Sequence, residues 1–171
     1  MAGIVKILSE QDLKGLRGER GTAYIALPRA LAPHVPMRPA GKNREPRLDV
    51  AVEARLDTAP DDTVMSGTAT TNITHVGMGE RRTGHADLRF NILTAVSRGI
   101  VALAARRDVA EPAGGDTLAV EFLDEGRFVR ATFATRDPFR DQLRQLCTEL
   151  DDAEDPTSGW GWLPAGVVPP W

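Results

Sequence analysis

The sequence predicts an α+β fold, a mainly antiparallel sheet of about six strands with two helices packed on it. Three observations predict it. A β-hairpin followed by an amphipathic helix is written across residues 47–107 and again across 116–150. Apolar and polar residues alternate with period two through the hairpins, as in strands with one face on a core and one in water. Apolar residues at helical spacing close each unit, giving each helix a stripe to lay on the sheet.

The elements follow in order. Ile4-Val5-Lys6-Ile7-Leu8 reads as a short buried strand. Lys14 to Gly21, with glycine at every third position, reads as a flexible loop, and Thr22 to Leu27 as a second strand stopped by Pro28. Five prolines at 28, 33, 36, 39 and 46 make residues 28–46 an extended, irregular arm, because proline breaks helices and removes ladder donors. Leu48, Val50, Val52, Ala54 and Leu56 alternate with polar residues across 47–58 and predict the clearest strand. A turn at Ala59-Pro60-Asp61-Asp62 leads into a threonine-rich return strand over 63–75. Asp87 is the expected cap of a helix over 88–107, striped by Ile92, Leu93, Val96, Ile100 and Leu103.

In the second unit Leu118, Val120 and Phe122 alternate, Asp124-Glu125-Gly126 turns, and Val129, Ala131 and Phe133 alternate back. Asp137-Pro138 predicts a helix start, with Phe139, Leu143, Leu146 and Leu150 along one side. The two units are too dissimilar to claim a duplication. Residues 1–150 thus read as a single domain, followed by an acidic, tryptophan- and proline-rich tail over 151–171. That tail carries all three tryptophans and too much proline and glycine for a helix or central strand.

At 171 residues, the chain is long enough to bury a core without disulfides or metal. The hydrophobic share of 42% and charged share of 26% are those of an ordinary globular protein. One cysteine, Cys147, and no signal-like or membrane-length apolar run predict a cytoplasmic chain. The net charge of −3 is unevenly spread: residues 1–47 carry +5 and residues 112–171 carry −6. This layout suits head-to-tail contact between copies, or two ends lying together within one molecule.

Candidate chemistry is sparse. No Walker loop, dinucleotide fingerprint, zinc spacing or nucleophile elbow is present, and no cofactor or metal is expected. Lys14, Arg17 and Arg20 around the glycines, with Arg81 and Arg82, are the candidate phosphate contacts. His85 beside Asp87 and the thiol of Cys147 are the only acid–base or nucleophilic candidates, and neither has a partner visible in sequence. Tryptophan is the residue most enriched in binding hot spots. Trp160, Trp162, Leu163 and Trp171 in the tail, with Met37 and Arg38 in the arm, are therefore the expected partner contacts. The competing reading is that the tail folds back on its own sheet.

Together these features predict a non-enzymatic structural, assembly or interaction subunit that binds copies of itself or a partner protein. A viral structural component or a bacterial accessory subunit would both fit. Nucleic-acid or nucleotide binding through the basic first third is the first alternative. A small enzyme whose residues meet only in space is the second. No membrane association is expected.

Overall fold

The computed structural model describes residues 3–17, 19, 24–27, 47–76, 85–91, 94–126, 128–150 and 159–169. They form an α+β fold. The elements are β1 (Gly3–Ile7), α1 (Glu10–Leu16), β2 (Tyr24–Leu27), β3 (Arg47–Leu56), β4 (Thr63–Val76) and β5 (His85–Asn91). Then come α2 (Thr94–Arg107), β6 (Thr117–Leu123), β7 (Phe128–Ala134), α3 (Phe139–Gln145), β8 (Glu149–Leu150) and β9 (Gly159–Leu163). Among the described residues the strands form one nine-stranded sheet, ordered β2-β5-β4-β3-β7-β6-β1-β9-β8. The sheet is mixed: β3 and β7 run parallel, joining the two halves, while the other neighbours are antiparallel.

Side-chain alternation divides the sheet cleanly. One face carries Ile4, Val52, Ala54, Leu56, Leu118, Val120, Val129, Ala131, Phe133 and Trp160, packed with Leu13 and Leu16 of α1 and Ile100 and Leu103 of α2. The second face carries Val5, Ala119, Ala134 and Leu163, packed with Leu143 of α3 and Val168. Helices on both faces therefore make a three-layer arrangement at the β6-β1-β9 end.

The structure departs from the sequence reading at four places. Residues 85–91 form β5 rather than the start of a helix. Ala86, Leu88 and Phe90 alternate with His85, Asp87, Arg89 and Asn91, and this period of two prevails, leaving α2 to begin at Thr94. The first unit is thus a three-stranded meander before its helix. Residues 14–16, the start of the loop expected over 14–21, form the last turn of α1. Ser9 Oγ accepts from the Asp12 amide at 3.2 Å and Asp12 Oδ2 accepts from the Ser9 amide at 2.9 Å, a reciprocal cap that starts the helix. Glycine and proline do not keep residues 159–163 out of the sheet: β9 lies between β1 and β8. The helix over 139–145 ends before Leu150, which belongs to β8, and its cap position is Pro138 rather than Asp137. The Asp137 carboxylate instead takes Arg140 Nε at 3.2 Å and Nη2 at 2.8 Å.

The 117–134 hairpin forms as expected, though positive φ at its turn falls on Asp124 and Glu125, at 48° and 55°. The proline-rich arm 28–46 lies outside the described residues.

The chain crossing at β9 makes one glycine indispensable. A Cβ on Gly161 would lie 1.6 Å from the Leu146 carbonyl oxygen, where backbone leaving α3 passes over the strand. Gly161→Ala is expected to cost about 3 kcal/mol in chemical denaturation, because backbone cannot yield as a side-chain tip does. Gly166→Ala is the contrast: its φ is 79° but no atom lies within 4 Å, so only backbone strain of about 1 kcal/mol is expected.

Candidate functional site

Two regions concentrate chemistry-bearing side chains. The first is the tryptophan pair of β9. Pairing with β1 sets Trp160 opposite Lys6, Gly161 opposite Val5, Trp162 opposite Ile4 and Leu163 opposite Gly3. Alternation sends both indoles to the first face and Leu163 to the second. Trp160 is 8% exposed and belongs to the main core, while Leu163 is 1% exposed in the second cluster. The chain's own sheet therefore covers both. Trp162 is different. At 38% it is the exposed large apolar side chain among the described residues, and it packs edge-on against Trp160 with centroids 5.4 Å apart and planes at 84°. Trp171, Met37 and Arg38 lie outside the described residues.

The second region is a row of charges on the second face. The register puts Glu53 of β3 beside Arg130 of β7, and Arg130 beside Glu121 of β6. Arg55, two residues along β3 from Glu53, shares that face. Glu53 captures both cations: one carboxylate oxygen accepts from Arg55 Nε, and the other lies 3.5 Å from Arg130 Nε. Glu121 is left with the remnant, its Oε2 3.9 Å from Arg130 Nη1, beyond hydrogen-bond reach. Burial accordingly pushes the Glu121 carboxyl above its ordinary value, against the pull of Arg130 and Arg55 and with a small addition from Glu53.

Other polar groups on the described elements serve the fold. Lys6 and Asp12, each 2% exposed, pair at 3.0 Å and tie α1 to β1. Asp57 accepts from the Thr135 amide, the Thr135 hydroxyl and the Arg136 amide, all at 3.0 Å, fixing the exit of β7 to the end of β3. Desolvation pushes the Cys147 thiol up to about 11, partly offset by Arg144, so it is protonated at neutral pH and a poor nucleophile. His85 and Asp87 lie on β5, at i and i+2, rather than before a helix. Among the described residues no group of three His, Cys, Asp or Glu side chains could hold a metal ion.

Lys14 and Arg17 are both exposed at the C-terminal end of α1. The backbone N–H groups of Arg17 and Glu19 are spent on Leu13 and Lys14 carbonyls at 2.9 and 3.1 Å, so they are not turned toward an anion. Arg20, Arg81 and Arg82 lie outside the described residues. Among the described residues no helix is long and apolar enough to cross a membrane.

The Glu53–Arg130–Glu121 row was not anticipated from sequence. Each member sits on an alternating strand as an ordinary polar position; the β6·β7 hairpin sets Glu121 beside Arg130, and the parallel β3·β7 register adds Glu53. No protein-family model matches the chain, and no curated protein matches it.

The two carboxylates should respond oppositely to neutralisation. Glu53→Gln removes the carboxylate charge that Arg55 and Arg130 share in a buried setting, with an expected loss of about 3 kcal/mol. Glu121→Gln removes a desolvated charge and should be neutral or stabilising at pH 7. A folded-state proton affinity above the unfolded one favours folding at low pH, and that benefit is lost as pH rises through the raised value. The advantage of Glu121→Gln should therefore be largest near neutrality and vanish on acidification, read by denaturation across pH. Cys147 gives a separate check: maleimide labelling of the folded chain at pH 7 should be far slower than of the chain in denaturant.

Proposed function

We propose that this chain is a non-enzymatic interaction subunit that contacts a second copy of itself through the surface around Trp162. The single observation that carries this reading is that Trp162 keeps 38% of its surface open on a strand whose other large apolar side chains are covered. Its ring is backed by the buried Trp160, so it presents a rigid apolar face with little rotamer freedom left to lose. The charge layout offers less: β1 of the basic head lies between β6 and β9 of the acidic end, so the two segments are already neighbours within one molecule.

Magnitudes set the expected strength. Covering the remaining surface of one indole is worth about 2 kcal/mol, or about 4 kcal/mol for a symmetric pair. Association costs at least that much in lost translational and rotational freedom. The contact should therefore be weak and concentration-dependent unless flanking residues add to it.

Light scattering from about 10 μM to about 1 mM, a range that brackets weak association, should show mass rising with concentration for the native chain. Trp162→Ala should abolish that rise while thermal unfolding stays near that of the native chain. Trp160→Ala should instead lower stability by about 3–5 kcal/mol, because it empties a core site. A native chain that stays monomeric throughout, or a Trp162→Ala chain with unchanged mass behaviour, would overturn the reading.

A further inference from the structure

Among the described residues, the second face of the sheet carries three buried oxygens without a hydrogen-bonding partner: Thr117 Oγ1, Thr132 Oγ1 and Glu121 Oε2. They are not scattered. In the β6·β7 register Thr117 faces Ala134, Ala119 faces Thr132 and Glu121 faces Arg130, all on one face. Two threonines and two alanines thus form a checkerboard, with Glu121 on the next diagonal from Thr132. Both threonines are 0% exposed, and the Glu121 side chain is 13% exposed. Helix α3 packs above, with Leu143 on Ala119 and Ala134.

We infer that this patch is an internal hydration site beneath α3, in which water links the Thr117 and Thr132 hydroxyls to the Glu121 carboxylate. Three points of chemistry support it. Buried polar atoms left unpaired are rare and cost about 1–3 kcal/mol each, so three on neighbouring positions demand a shared solution. Diagonal cross-strand positions lie about 7 Å apart, too far for direct bonds between short side chains, whereas one bridging water spans about 5.6 Å between two oxygens. A hydroxyl that can both donate and accept, set between a second hydroxyl and an acceptor carboxylate, gives water the two to four partners it needs.

Thr132→Val separates an occupied site from a dry one by the sign of its effect. In an occupied site the valine breaks the link and the melting temperature falls by about 2–4 °C. In a dry site it removes an unsatisfied hydroxyl at constant volume, and stability is unchanged or rises. Thr132→Ser retains the hydroxyl and should preserve the link. The second readout is the Glu121 carboxyl titration followed by carbon NMR. Losing a donor chain should move it upward in Thr132→Val and leave it near native in Thr132→Ser. A neutral or stabilising Thr132→Val, or a Glu121 titration indifferent to both substitutions, would overturn the site.

Discussion

Strand β1 is buried on both faces at once, and the rest of the architecture answers to that. Ile4 and Val5 are each 0% exposed, yet they point into different clusters, one under α1 and α2 and the other under α3. A strand with no wet face needs cover above, cover below and a neighbour along each edge. Its neighbours are β6 and β9, the latter drawn from the far end of the sequence. The tryptophan-bearing segment is therefore recruited as a strand because the interior of the sheet would otherwise present open backbone donors and acceptors. The same sandwiching makes Gly161 necessary, since backbone has to cross close above it.

Placing a strand in the middle of two cores raises the cost of every charge on or near it, and the molecule meets that cost locally. Lys6 sits on β1 at 2% exposure and finds Asp12, which also caps α1, so one carboxylate neutralises a buried cation and starts a helix. On the second face Glu53 takes both arginines and Glu121 takes almost none. Such pairs contribute little net stability, because desolvation offsets attraction, but breaking one leaves a buried charge without compensation. They act mainly to fix register: sliding β3 against β7 by one residue would send Glu53 into the apolar face and Val52 out of it.

Read along the chain, the hairpin at 117–134 and the strand at 47–56 were legible because their alternation is unbroken and their turns carry Asp, Pro and Gly. Strand β5 was missed: Leu88 and Phe90 were absorbed into the helix expected over 88–107, since a short alternating run next to a long helical stripe fits both periods. Helix α1 left a fainter mark, Ser9 three residues before Asp12, with Gly15 and Gly18 arguing for a loop. Of the expected contact residues, Trp160 and Leu163 turned inward, and Trp162 is the one described that still faces out.

Local composition by itself determined the fold class, the hairpins and the presence of amphipathic helices, because those depend on periodicity and turn chemistry within a few residues. Tertiary structure alone decided that β3 runs parallel to β7, that β9 joins β1, and that Glu53 of β3 comes to lie beside Arg130 on the face it shares with Glu121 and Thr132. The physical reason is that each of these depends on pairing between strands distant in sequence. Which strand sits beside which is set by the joint burial of two faces, a property of the assembled sheet that no single stretch of residues carries.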